Sequence, residues 1–415
     1  YLTMLEEAQK RDPRKLGTAL DLFSVHEEVG AGLVLWHPNL SVVREEIENY
    51  WRQEHRARGY SIVYSPHIAK SELWEISGHL SHYRENMYFL KNEESESDTE
   101  YVLKPMNCPF HILMYSSSRR SYRDLPLRLA ELGTVYRNER SGALAGLTRV
   151  KGFTQDDAHI FLMPSQLVDE IGRIISFVDD ALSMFDMEFE VELSTRPEKH
   201  VGSIENWNKA EEGLKDALEA RGLKYEINAG DGAFYGPKID FKLKDAIGRT
   251  WQGATIQLDF NLPERFDLKY QDSDGQLKSP VMIHRVIFGS LERFMGILIE
   301  HYAGAFPLWL APVQVAVVPI ADRHLGACEE LYNKLHSLGI RAFVDDRSES
   351  MNYKIRDCLQ SKKINYVLVL GDREIEQNAV AVRARGRGQV GTMAVDEFVQ
   401  KLEREICTKG KEVIA

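Results

Sequence analysis

The densest run of reactive side chains lies between Thr134 and Phe161, in TVYRNERSGALAGLTRVKGFTQDDAHIF. Arg137 and Glu139 are two positions apart, so on a strand they share one face. SGALAGL, with Gly142 and Gly146, reads as a flexible loop. Beyond it Arg149, Lys151, Phe153, Gln155, Asp157 and His159 recur at every second position. If both runs are arms of one hairpin, eight polar or aromatic side chains crowd one surface. Their chemistry is complementary: guanidinium groups for phosphate, a ring that can stack, carboxylates and amides, and an imidazole. An edge hairpin with a solvated face is the plain alternative. It needs an apolar opposite face, and Gly152, Thr154, Asp156 and Ala158 make a poor one. A polar sheet face lining a deep site fits better.

Two further segments carry candidate chemistry. In YVLKPMNCPFHILMY, Met106, Cys108, Pro109 and His111 sit where a strand pattern gives way to a helix. A single cysteine among apolar residues is commonly a small core hydrophobe. VMIHRVIFGSLERFMGILIEH reads as a strand, a turn at Gly289 and a buried helix that Ser290 can cap. Arg293 falls in that helix's first turn, where the macrodipole disfavours a cation. A nearby phosphate would resolve the conflict, and so would a structural salt bridge.

The elements that must position these groups follow in order. Residues 1–24 read as a charged helix and a connector through Leu16 and Leu22, and the pattern begins inside the helix, as if a region upstream were absent. GAGLVLWHP is strand-like to Pro38, and Leu40, Val43, Ile47 and Tyr50 then follow helical spacing to Gly59. YSIVYSP and NMYFLK read as strands around a helical SELWEISGHLSHY, and NEESESDTE as a solvated hairpin tip. Residues 165–187 form an amphipathic helix, FEVELS a strand, and WNKAEEGLKDALEARGL a second helix closed by Gly222. KIDFKL and WQGATIQLDF are strands, the latter with Gln257 and Asp259 on one face. From Pro312 the pattern becomes βαβαββα over about 100 residues, the size of a separate α/β domain. FPLWLAPV is the expected linker.

Composition bounds the rest. A chain of 415 residues exceeds one small core. No apolar run approaches the roughly 18–20 residues that span a bilayer. Four well-separated cysteines without a CxxC pair argue for a reducing compartment, the cytoplasm with the mitochondrion as alternative. The net charge of −11 argues against a protein that coats nucleic acid, while leaving room for a local basic surface.

YRNE with downstream FTQDDAH, and GSLERF, resemble motifs 2 and 3 of the class II aminoacyl-tRNA synthetases, and VLWHP with its helix resembles motif 1. KPMNCP, FTQDDAHIF, GAFYGPKIDF and PVMIHR together resemble the threonyl-tRNA synthetase family, over essentially the whole chain. That resemblance implies an α/β (α+β) fold, with a class II antiparallel sheet flanked by helices and a smaller mixed-sheet α/β domain after it. It divides the chain into 1–24, a helical linker from an absent N-terminal editing region; 25–310, the catalytic domain; and 311–415, the anticodon-binding domain.

The implied activity is threonine–tRNA ligation: ATP-dependent formation of threonyl-adenylate, then transfer to the 3′ end of tRNA(Thr). The implied zinc ligands are Cys108, His159 and His284, with separations of 159 − 108 = 51 and 284 − 159 = 125 that no sequence-local zinc finger would have. A thiolate and two imidazoles suit zinc and leave a position open. A site that demands a hydroxyl rejects valine far better than the roughly hundredfold of an apolar pocket, although serine also meets the demand.

By the same resemblance Arg137, Arg293 and Gln155 are catalytic, and Met106, Asp157, Tyr235 and Gln257 bind threonine. Arg137, Glu139, Arg149, Phe153, Gln252, Ser290 and Arg293 bind ATP with Mg2+, Phe153 and Arg293 sandwiching the adenine, and Lys238 lines the site. Arg347, Glu374 and Arg383 read the anticodon, with ordinary surface charge as their alternative. Motif 1 implies a two-fold homodimer. Phe110 and Ser348 stand where the family pattern has glycine and asparagine. A ligase for proline or serine, which needs no Cys/His/His set, and a non-catalytic RNA-binding paralogue are the competing readings; Arg137, Phe153 and Arg293 argue against the second.

Overall fold

A computed structural model describes residues 9–90, 100–244 and 248–414. Residues 1–8 and the acidic tip at 92–99 lie outside the described residues. The chain divides into two compact units, one of residues 25–34 and 50–297, the other of residues 1–24, 35–49 and 298–415.

The first unit is built on an eight-stranded sheet. Its strands are β1 (Ser61–Ile62), β2 (Leu127–Tyr136), β3 (Gly152–Leu162), β4 (Phe189–Ser194), β5 (Glu226–Asn228), β6 (Lys238–Lys244), β7 (Thr250–Asp259) and β8 (Val281–Ser290). The spatial order is β5-β4-β6-β7-β8-β3-β2-β1. The six strands from β4 to β2 pair antiparallel, and only the edge strands β5 and β1 join parallel. Leu167–Ser183 lays Ile171, Ile174, Ile175, Val178 and Leu182 into the core, as its helical spacing predicts. Ile204–Ala220 is capped by the Ser203 hydroxyl accepting from the Asn206 N–H, and Gly222 follows its end at φ +64°.

The hairpin exists, but its arms are shorter than the alternation suggests. β2 ends at Tyr136 and β3 begins at Gly152, so Arg137, Glu139 and Arg149 lie just past the ladder. The Arg137 N–H still donates to the Lys151 carbonyl at 2.8 Å, and the Glu139 N–H turns back to the Arg137 carbonyl at 2.8 Å. Other boundaries also move. SELWEISGHLSHY is two helices, Ser71–Ile76 and His79–Tyr83, because Gly78 sits at φ +83° between them. Only Leu35–Trp36 and Ser61–Ile62 of the two upstream strand patterns make ladders.

The unpromising far face of β3 has a specific explanation. Thr154, Asp156, Ala158 and Ile160 are all buried. β8 loses register with β3 between Val286 and Ser290, and Gly289 there has φ +78°. The Ile287, Phe288 and Gly289 N–H groups, released from the ladder, donate to the Asp156 carboxylate at 2.9, 3.0 and 2.9 Å. A buried bulge would otherwise strand these donors. Asp156 is thus a structural lock between β3 and β8.

In the second unit a five-stranded sheet runs Ala342–Val344, Val315–Pro319, Tyr366–Leu370, Ala379–Ala384 and Gly388–Ala394, in that spatial order. The first three are parallel and the last two antiparallel. Val317, Leu331, Leu335, Leu368 and Phe398 form the core on one face, and Val318, Ile355, Cys358 and Val367 on the other. The strand Gly388–Ala394 and the helix Asp372–Glu376 extend the βαβαββα pattern. Four of that strand's seven residues are exposed, so it carries little apolar periodicity to read. Among the described residues no helix is long and apolar enough to cross a membrane.

Asp156→Ala should strand two buried donors and a third that is part-buried, and cost about 3 kcal/mol or more, read by urea unfolding. Burial pushes the Asp156 carboxyl up to about 7, against the pull of Arg285 and the three N–H groups. Its unfolded value is about 3.9. The raised folded value means that its contribution is complete below about pH 4 and is lost as pH rises through about 7. Asp156→Asn cannot ionise and should flatten that part of the slope; identical slopes in native and mutant protein would contradict the assignment.

Candidate active site and metal centre

Three strands put their polar side chains on one rung. His159 of β3 is paired with His284 of β8, and His284 with Gln257 of β7. Cys108 arrives from elsewhere, at the first position of the helix Cys108–Ser116. The ligand atoms of Cys108, His159 and His284 all lie within 4.8 Å of one another, and all three residues are buried. His284 Nε2 meets the Asp259 carboxylate at 2.9 Å, and His159 Nδ1 meets His111 Nδ1 at 2.8 Å. One nitrogen of each ring is therefore occupied, which leaves His284 Nδ1 and His159 Nε2 for the cluster. This donor set, with outer partners orienting each imidazole, fits zinc. Burial holds the Cys108 thiol well above its ordinary value, reinforced by Asp157 and Asp259, and holds the His159 imidazole well below its own. A divalent cation reverses both tendencies, since it binds thiolate and neutral imidazole.

The cluster forms one end of a cavity of about 550 Å³. Around it stand Met106, Asp157, Tyr235 and Gln257. The Tyr235 hydroxyl donates to Gln257 at 2.8 Å, and Asn261 Nδ2 holds the Tyr235 carbonyl at 2.6 Å. Gly236 next to it is obligatory by contact, since a Cβ there would lie 1.9 Å from the Leu258 carbonyl oxygen. Asp157 accepts from Asn107 Nδ2 at 3.1 Å, and burial raises its carboxyl above the ordinary range.

The other end is cationic. Arg137 lies over the Phe153 ring at 5.0 Å and donates through Nε to the Pro105 carbonyl at 3.3 Å. Arg149 holds Glu139 through Nε and Nη2 at 3.1 and 2.9 Å. Arg293 donates to the Thr148 carbonyl at 3.2 Å, and its N–H is capped by Ser290 Oγ at 3.1 Å. Burial, followed by Arg137 and Arg149, depresses the Arg293 guanidinium. Guanidinium groups this close with one carboxylate among them call for an anion. Along one wall Asp240 gathers Thr255 Oγ1 at 2.7 Å, Gln252 Nε2 at 2.9 Å and Lys238 Nζ at 2.7 Å.

The structure thus gathers Met106, Cys108, Arg137, Glu139, Arg149, Phe153, Gln155, Asp157, His159, Tyr235, Lys238, Gln252, Gln257, His284, Ser290 and Arg293 around one cavity. Lys151 is not among them: its backbone carries the hairpin and its side chain packs over Gly32. The sequence marks Asp156 only as a poor member of an apolar face and gives no role to Asp240, Glu131 or Asn107, because each acts through contacts between segments distant in sequence. The anticodon candidates lie on a loop, a helix and a strand of the second unit. Arg347 is paired with Asp345 and Asp357 at 2.7 and 2.8 Å, and the Glu374 carboxylate accepts from the Gly371 N–H at 3.0 Å. Arg383 is half-buried on the strand Ala379–Ala384.

Residues 88–302 match the family model of the tRNA synthetase class II core domain (G, H, P, S and T), and residues 314–405 match an anticodon binding domain. The sheet and cavity described above are therefore those of a class II aminoacyl-tRNA synthetase. The chain is 57% identical over 409 residues to a threonine–tRNA ligase of Carboxydothermus hydrogenoformans, and 55% over 410 residues to one of a Sulfurihydrogenibium species. These matches cover 99% of this chain and 64% and 63% of those relatives. A solved structure of the RNA binding domain of threonyl-tRNA synthetase from Cryptosporidium parvum superposes with a TM-score of 0.88 at 40% identity, covering 95% of this chain and 98% of that one. Within class II, the chain belongs to the threonyl-tRNA synthetase family.

Gly236→Ala should force the Tyr235 loop off the Leu258 carbonyl and destabilise the unit by about 1–3 kcal/mol, read as a lowered urea midpoint.

Proposed function

We propose that this chain carries the catalytic and anticodon-binding parts of a threonine–tRNA ligase, with residues 25–310 as the first and 311–415 as the second. The observation that carries the reading is a single cavity with a Cys/His/His cluster at one end and converging guanidinium groups at the other. A threonine-sized ligand suits the first end and a nucleoside triphosphate with Mg2+ the second.

In the first step a threonine carboxylate oxygen attacks the α-phosphorus of ATP. The bond to the bridging oxygen breaks, and pyrophosphate leaves. Arg137 faces the α-phosphate, where a planar two-pronged donor suits the pentavalent transition state. Arg149, held by Glu139, faces the γ-phosphate. Phe153 and Arg293 bracket the adenine, Ser290 and Gln252 complete the nucleotide's surroundings, and Gln155 bridges the two halves. Asp157 and Tyr235 take the amino group and hydroxyl of threonine, with Met106 and Gln257 closing the pocket.

Cys108, His159 and His284 would hold zinc, which when bound supplies a Lewis-acid position that tells a hydroxyl from valine's methyl. In the second step a hydroxyl of the terminal ribose of tRNA(Thr) attacks the threonyl carbonyl, and AMP leaves. Arg347, Glu374 and Arg383 face the anticodon, whose unstacked bases offer edges and faces to side chains. Two chains pair through the motif 1 segment, and the free cysteines suit the cytoplasm.

Threonine-dependent exchange of pyrophosphate into ATP tests the first step directly; no exchange above a valine control would end this reading. Arg293→Ala should lower kcat/KM for exchange by about 100-fold or more, the scale of losing a positioned charge-stabilising donor. Cys108→Ser should lose bound zinc and threonine activation together, and full activity in zinc-free mutant protein would contradict the ligand assignment.

A further inference from the structure

Behind the Cys/His/His cluster lies a buried chain of ionisable groups that the proposed reaction does not use. His111 Nδ1 stands 2.8 Å from His159 Nδ1, and His111 Nε2 stands 3.1 Å from Glu131 Oε2. All three residues are buried. Glu131 is anchored in turn: the Ser65 N–H and hydroxyl donate to it at 2.8 Å, and Lys104 Nζ lies 3.4 Å away while donating to Ser65 Oγ at 2.7 Å. Burial works against the Glu131 charge, but His111, Lys104 and Ser65 outweigh it and hold the carboxyl below its usual range. The chain therefore ends in a fixed anion.

With both imidazoles neutral, as metal binding requires of His159, one direction of hydrogen bonding satisfies every atom of this chain. A carboxylate accepts, so His111 Nε2 carries a proton and donates to Glu131. His111 Nδ1 is then bare and accepts, so the ring proton of His159 must sit on Nδ1. His159 Nε2 is left with its lone pair facing Cys108 and His284. We infer that His111, backed by Glu131, is a positioning residue that fixes the tautomer and ring orientation of His159 for metal binding. The arrangement is longer by one imidazole than the Asp259–His284 pair on the neighbouring strand, where a carboxylate addresses the ring directly at 2.9 Å. Among the described residues His159 Nδ1 meets His111 rather than a carboxylate, so His111 transmits the charge of Glu131 to it. Oriented outer partners of this kind carry about 10–100-fold in metal affinity.

This inference rests on the zinc reading above, and the experiment separates the two. Purified native chain, His111→Phe, His111→Gln and Glu131→Gln are each titrated with zinc against a chromophoric chelator. Each is also loaded with cobalt to record its absorption bands, and each metal-free form is melted. Native protein should bind one metal ion. His111→Phe and Glu131→Gln should bind it about 10–100-fold more weakly with altered cobalt bands. His111→Gln, whose amide offers an acceptor and a donor, should recover at least half of that loss on a logarithmic scale. If His111→Phe does not fold, the isosteric Glu131→Gln carries the comparison. Native protein that takes up neither zinc nor cobalt would sink the metal reading and this inference with it. Native uptake with unchanged affinity in a folded His111→Phe or Glu131→Gln would overturn this inference alone.

Discussion

The site depends first on the pairing of β3 with β8 in one register. That register sets His159 opposite His284 and leaves Gln155 beside Ser290 at the start of the next helix. A strand slip of one residue would turn every side chain of β3 to the other face, and the Cys/His/His cluster and the cationic wall would be lost together. Asp156 defends the register. Its carboxylate takes three N–H groups that the bulge in β8 removes from the ladder, so the bulge is stable at one position only. The same bulge turns the chain so that Ser290 can cap the helix bearing Arg293.

From that lock the two halves of the cavity acquire opposite characters. At the Cys/His/His end, burial favours neutral groups, and the His159 and His284 imidazoles are each oriented by a partner behind them. At the cationic end, burial and the neighbouring Arg137 and Arg149 work against the Arg293 guanidinium, a conflict that an anion between them would relieve. Each end is unfavourable as it stands, in a manner that its proposed ligand relieves. Local rules broken at a site and compensated by a ligand are the expected mark of function.

The close-contact constraints sit at the same place. Gly236 lies against the Leu258 carbonyl and brings Tyr235 beside Gln257, and Gly133 lies against the Asn107 amide that holds Asp157. These glycines do not supply flexibility. They permit two backbones, or a backbone and a buried amide, to approach within a distance that no Cβ tolerates.

Much of this was legible in the residues alone. The period-two alternation placed Phe153, Gln155, Asp157 and His159 on one face, and helical spacing found the long helices with their caps, because both are local properties of a chain. The trio Cys108, His159 and His284 could be named only through a family resemblance, since periodicity says which face a residue takes and nothing about which strand lies beside it. The exposed strand Gly388–Ala394 carries too little apolar pattern to read, and the alternation gives Lys151 no place, since its side chain packs over Gly32 instead of lining the cavity. Asp156, Asp240 and Glu131 gained their roles only when strands distant in sequence were paired. A buried carboxylate is stable only where donors converge on it, and that convergence exists in the folded sheet alone.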